Sequence, residues 1–223
     1  MKATESARRK WLVTMLLVLS STTLQSQQQT QVPFASKNLA SVVADYPNPV
    51  RYTVTRNGKT IGEHVLSFTV EDNRTVVRVN SAVKVRFLGI PVYSLSYVSE
   101  ESWVDNELVH ASAQTIENGK SNTVTYDLNN TDEQAAYASN HWHPGVVFSP
   151  RIFNTLTGEV EQVEISTGIS DNTATADGSL LDAFRFTYNY EIPLDSWYDV
   201  GGLWVKMAFK RDDGSVIEYT RND

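Results

Sequence analysis

The 223-residue chain contains no cysteine. Disulfides, thiol chemistry and a lipid-modified cysteine are therefore excluded, and stability must come from core burial, which a chain of this length can supply. A cationic surplus is missing too: 19 Lys and Arg stand against 26 Asp and Glu, a formal charge of −7. That balance gives no electrostatic reason to bind nucleic acid. The sequence shows no lasting helical periodicity, no Gly-x-Ser-x-Gly elbow, no phosphate-cradling glycine loop and no dinucleotide fingerprint, so no cofactor is expected. What remains, 41% hydrophobic and 10% aromatic residues, is the composition of an ordinary globular protein rather than a disordered tail.

The first residues read as an address. Lys2, Arg8, Arg9 and Lys10 against Glu5 form a basic stretch, and the apolar run Trp11–Leu19 follows it. The run is shorter than the roughly 20 residues of a spanning helix and has signal-peptide dimensions. Residues 1–26 are therefore expected to be a cleaved signal, with Leu24-Gln25-Ser26 at the junction, and an uncleaved anchor is the alternative. Cleavage there would leave a periplasmic or secreted protein, not membrane-spanning, with the formal charge shifted to −10 by the loss of four bases and one acid. Residues 27–49, opening on a Gln-rich run and punctuated by Pro33, Pro47 and Pro49, are expected to be a polar tether.

From Val50 onward the pattern is that of strands. Val50, Tyr52 and Val54 alternate with polar residues, Asn57-Gly58 interrupts, and Leu66, Phe68 and Val70 resume the alternation. Asn-Gly between alternating runs signals a hairpin, because both residues tolerate positive φ. Val77, Val79, Val83, Val85 and Phe87 share one parity, with Arg78, Asn80, Lys84 and Arg86 on the other, so one face is buried and one is wet. Asp72-Asn73, Asp105-Asn106, Asn118-Gly119 and Asp212-Asp213-Gly214 supply further turns. Runs at 160–165, 181–190, 203–209 and 216–219 complete the count, and a short helix is expected over Asp132–Tyr137. The predicted fold is all-β: residues 50–223 as a single antiparallel meander of about ten strands, closed into a barrel or bent into a strongly curved half-barrel. An outer-membrane barrel does not fit, because Arg78, Lys84 and Arg86 along one strand would face lipid, at about 2–4 kcal/mol for each base near the midplane.

Two groups of residues are chemical candidates. His141 and His143 flank Trp142 in a long irregular segment, and alternate residues of an extended chain point the same way, so both imidazoles are candidate metal ligands that still need a third. His64 shares the parity of Leu66 and Phe68 and is read as a core histidine, with a base or ligand contact as the alternative. The second group is aromatic. Tyr93, Tyr97, Trp103, Phe186, Tyr188, Trp197 and Trp204 lie on or beside predicted strands and are expected either to fill the core or to line an apolar groove for a lipid-like ligand.

Tyr52-x-Val54, Asn57-Gly58-Lys59-x-Ile61-Gly62, Trp197-Tyr198-Asp199-x-Gly201-Gly202-Leu203-Trp204-Val205-Lys206 and Asp213-Gly214-Ser215-x-Ile217-x-Tyr219 together resemble a family of exported bacterial proteins of unknown function. The resemblance covers about residues 50–221. It implies a curved antiparallel sheet or open barrel, loosely similar to the periplasmic lipoprotein carriers, and it offers no catalytic residue. Gly62 lies within a strand and suggests a bulge or a close backbone approach. The leading expectation is an exported, noncatalytic protein holding a hydrophobic ligand or a lipidated protein between the concave face of the sheet and a covering loop near His141 to Pro150. The alternatives are a structural or assembly partner of a cell-envelope complex, and behind it a metal-dependent hydrolase using His141 and His143.

Overall fold

The computed structural model describes residues 32–130, 134–190 and 192–222. The expected signal, residues 1–26, lies outside them. The described chain opens with a short helix, α1 (Leu39–Asp45), and continues as strands β1 (Val50–Arg56), β2 (Lys59–Glu71), β3 (Arg74–Phe87), β4 (Ile90–Val104), β5 (Glu107–Glu117) and β6 (Lys120–Asp127). After an irregular stretch come β7 (Tyr137–Ala138), β8 (Arg151–Phe153), β9 (Val160–Gln162), β10 (Ile169–Ala174), β11 (Leu180–Tyr188), β12 (Leu194–Asp199), β13 (Trp204–Lys210) and β14 (Val216–Asn222).

Eleven strands form one sheet in the order β10-β11-β12-β13-β14-β1-β2-β3-β4-β5-β6, every pairing antiparallel. β14 pairs with β1 in the middle of the order, so the chain closes across the centre and leaves β10 and β6 as the edges. The sheet is thus a half-barrel and not a closed one. Side chains from β1 to β6 and from β11 to β13 meet in one apolar cluster, which a flat sheet of this width could not bring about. The expected turns are present: Asn57, Asp72, Asp105 and Asn118 all have positive φ. A further hairpin, at Leu88-Gly89, has no turn signature in its first residue. Gly62 does what its place in a strand suggests: β1 shifts register opposite it, and a Cβ there would overlap the Ala82 carbonyl oxygen.

Two expectations are corrected. The tether expected over residues 27–49 is folded from Val32 onward. Asn38 caps α1 by accepting from the Ser41 amide, and Leu39, Val42 and Tyr46, on one face of the helical turn, are buried together with Phe34. The helix expected over Asp132–Tyr137 is not formed by its described residues: 134–136 are irregular and Tyr137 enters β7, which pairs in parallel with β8. The nearby helical turn, a 3-10 turn at Leu128–Asn130, comes earlier. No helix among the described residues is long and apolar enough to cross a membrane.

Candidate functional site

The concave face of the half-barrel is filled by two segments of the chain itself, the one before β1 that carries α1 and the one between β6 and β10. Phe34 inserts against Phe184, Phe186 and Tyr198 on β11 and β12. Tyr46 stacks on Phe68 of β2. From the second segment, Trp142 meets Phe68 and Trp103 edge to face, and Val146, Val147, Ile152 and Phe153 are buried behind it. Such aromatic edge contacts add about 0.5–1.5 kcal/mol each to the burial itself.

Polar groups fix this plug in place. The Glu101 carboxylate, on β4, is 0% exposed and accepts from Trp103 Nε1 and Trp142 Nε1, each at 2.9 Å, and from Asn140 Nδ2 at 2.6 Å. Burial raises its pKa, and the three donors oppose that rise. Asn140 in turn accepts from the Tyr97 hydroxyl at 2.7 Å. Three more tyrosines hold backbone: Tyr198 donates to the His141 carbonyl, Tyr46 to the Trp142 carbonyl and Tyr52 to the Trp204 carbonyl, at 2.8–2.9 Å. Glu101 is absent from the sequence candidates, although it shares the inward parity of Tyr93, Leu95 and Tyr97. An acid on an otherwise apolar face is the signal that would have found it.

The histidines are part of the same packing. His141 lies against Tyr188 and Trp204, whereas His143 lies against Trp103, Tyr137 and Trp142. His143 Nδ1 accepts from the Gly145 amide at 3.0 Å. The two rings therefore occupy different walls of the plug, and among the described residues no group of three His, Asp or Glu side chains is placed to hold a metal ion. His64 is inward, as its parity implies, set edge-on to Tyr52, Trp204 and Tyr219. Burial lowers the pKa of His64 to about 3 and those of His141 and His143 to about 4, so all three are neutral near pH 7.

Of the seven aromatic candidates, Tyr97, Trp103, Phe186, Tyr188 and Trp204 are buried in the central cluster. Their share of the expected groove is taken by the plug. Trp197 has the opposite parity to Ser196 and Tyr198 and lies half-buried on the other face, donating to Asp171 beneath the Lys206 ammonium. Tyr93 alone borders a cavity.

That cavity lies at the end of the concave face that the plug does not reach. Its volume is about 270 Å³, and its walls are Val54, Ile61, Val83, Leu95, Phe209 and Ile217. These are inward positions of β1 to β4, β13 and β14, packed as a second, smaller apolar cluster. The rim is charged. Arg56 Nη2 donates to Asp213 at 2.6 Å, and the Arg211 guanidinium sits 5.2 Å over the centroid of the Tyr93 ring. The rim thus carries two arginines and the Asp213 carboxylate, a net positive charge beside an apolar trough, which fits an anionic head group on an apolar tail. A larger cleft of about 650 Å³ lies at the β6 edge, but Thr125, Asp127, Asn130 and Glu159 make it polar and acidic.

An open antiparallel half-barrel with its core plugged by its own chain and an apolar trough at the end that carries the β1–β2 and β13–β14 turns is the class that fold and site define. The chain belongs to the DUF6134 family, a domain of unknown function, whose model matches residues 52–222. No curated protein matches it. Among solved structures it is similar to a beta-barrel-like protein of the DUF1849 domain of unknown function from Brucella abortus, at 10% identity and a TM-score of 0.45, covering 78% of this chain and 95% of that one. The unknown-function family and curved antiparallel sheet implied by the sequence motifs are thus both found.

Proposed function

We propose that the protein is an exported, noncatalytic binding protein that takes the apolar part of a lipid-like, anionic ligand into the trough beside the β1–β2 and β13–β14 turns of its half-barrel. The observation that carries this reading is the unfilled apolar stretch of concave face with Arg56 and Arg211 at its rim. The volume of about 270 Å³ falls just under the roughly 300–1,000 Å³ of small-molecule sites, which suits a single short chain or ring rather than a whole lipid. The site is thus displaced from the covering loop near His141 to Pro150, which packs directly on the sheet. Native mass spectrometry of the protein purified from its producing cells tests the reading, followed by denaturation and organic extraction of the same sample. An adduct lost on denaturation and recovered as an amphipathic acid or phosphate ester supports it. A bare mass contradicts it.

A second reading, an assembly partner in the cell envelope, is favoured by one observation. β6 and β10 have no strand partner on their outer sides among the described residues, and unpaired edges accept a strand from another chain. It requires co-purification of a specific protein in place of a small ligand.

A further inference from the structure

The β3–β4 hairpin ends in a run of exposed apolar side chains. Leu88 is 87% exposed, Phe87 68%, Ile90 66% and Val92 55%. Leu88 also has a φ of 50°, and Gly89 of 83°. In the same left-handed position the neighbouring hairpins place Asn57 and Asn118, residues that tolerate it, whereas leucine is strained there. Leu88 is thus unfavourable both for solvation and for backbone conformation, and nothing in the fold of the hairpin requires it. An apolar residue held there at such cost fits a tip that makes a contact outside the chain.

The hairpin's charges indicate what that is. Although the chain as a whole is acidic, with a net charge of −7, the exposed charged residues on this hairpin nearest the tip are Lys84 and Arg86. At about 3.3 Å of rise per residue they lie roughly 13 and 7 Å behind Leu88. The adjoining tips of β1–β2, β5–β6 and β13–β14, at the same end of the sheet, add exposed Lys59, Lys120, Lys210 and Arg211 against exposed Glu117, Asp212 and Asp213. With Lys84 and Arg86, the bases at this end outnumber the acids. An apolar tip backed by bases at headgroup distance matches the layering of an anionic lipid surface, with acyl chains below and phosphates above.

We propose that the β3–β4 hairpin is a membrane-docking element that inserts Phe87, Leu88, Ile90 and Val92 into the surface of an anionic bilayer. This stands apart from the trough reading, although Val92 belongs to both and docking would bring the trough to the membrane.

The absence of cysteine permits a site-specific test. The full chain carrying Leu88→Cys, labelled with an environment-sensitive NBD fluorophore, is mixed with vesicles of phosphatidylglycerol and phosphatidylethanolamine. Asn73→Cys, in the turn between β2 and β3 at the opposite end, serves as the reference. The label at position 88 is expected to brighten and shift to the blue on these vesicles, less so in high salt or on phosphatidylcholine alone, while the label at 73 stays unchanged. Leu88→Asn, which suits the turn better and keeps the fold, is expected to lower vesicle partitioning about tenfold or more. No change at position 88 overturns the proposal, and so does an equal change at both positions, which is what attachment through another segment would give. Unaltered partitioning by Leu88→Asn overturns it as well. Failure of lipid recovery from the trough leaves these readouts untouched, so the two readings fail separately.

Discussion

Lowering the pH from 7.5 to 5.5 is expected to destabilise the protein by about 4 kcal/mol. Burial against Tyr52, Trp204, Tyr188 and Trp103 lowers the pKa of His64 to about 3 and those of His141 and His143 to about 4, against an ordinary 6.5. His64 Nε2 and His141 Nδ1 are buried with no hydrogen-bond partner, and His143 Nδ1 already accepts from the Gly145 amide, so a proton added to any of the three rings would charge it with no acceptor placed for the new N–H. The unfolded chain binds protons below pH 6.5 and the folded one does not, so stability is full above 6.5 and falls with pH toward 4. At pH 5.5, a unit below the ordinary value and well above the folded ones, each histidine contributes a loss of roughly 1 kcal/mol or a little more. Three together remove a large part of the roughly 5–15 kcal/mol that holds a typical domain. Glu101 acts in the opposite sense, because a carboxyl whose pKa is raised by burial loses its contribution as pH rises through that value.

Urea unfolding followed by tryptophan fluorescence at both pH values measures this directly. His64→Phe keeps an aromatic ring in place while removing one titrating group, and the loss between pH 7.5 and 5.5 is then expected to shrink to roughly 3 kcal/mol. Equal stability at the two pH values would refute the reasoning. So would a full loss surviving in His64→Phe.

Glu101→Ala removes the acceptor shared by Trp103, Trp142 and Asn140 and is expected to cost about 3–5 kcal/mol in the same unfolding assay. Glu101→Gln keeps the shape but sets an amide donor against Asn140 Nδ2, and an intermediate cost of about 1–3 kcal/mol is expected. Gly62→Ala must push the Ala82 carbonyl away and should destabilise by about 1–3 kcal/mol, with the end of the β2–β3 register at Gly62 and Val83 absorbing the shift, visible as faster amide exchange there.

The strands were legible where turns carried their own chemistry. Asn57-Gly58, Asp72-Asn73, Asp105-Asn106 and Asn118-Gly119 set the boundaries of β1 to β6 almost residue by residue. Leu88-Gly89 escaped because leucine is not a turn residue, so β3 and β4 had no visible boundary. β10 reads Ile-Ser-Asp-Asn-Thr-Ala, a mostly polar edge strand with little hydrophobic contrast. β12 alternates Ser196 and Tyr198 inward with Asp195, Trp197 and Asp199, and its inward serine hides the period. The plug was harder still. Its elements are short, and the seven residues of α1 are too few for a helical period to stand out between the Gln-rich run and Pro47, so the buried Phe34, Leu39, Val42 and Tyr46 were masked. The same holds for the aromatic candidates: parity showed that Tyr97, Trp103 and Trp204 face inward, but only the position of Trp142 and Phe34 determined that the space between them was full. Arg56 and Arg211 were invisible as a pair, since the closing of β14 on β1 is what brings them to one rim.

Binding of a fluorescent fatty-acid probe to the wild type, to Leu95→Trp and to the double substitution Arg56→Ala with Arg211→Ala tests ligand uptake by the trough most directly. Leu95 is a half-buried wall residue, so a tryptophan there fills the trough without entering the plugged core. Saturable binding by the wild type, abolished by Leu95→Trp and weakened about tenfold or more by loss of the two arginines, is the expected result. Unchanged binding in Leu95→Trp, with its fold intact by circular dichroism, would contradict the trough as the ligand site.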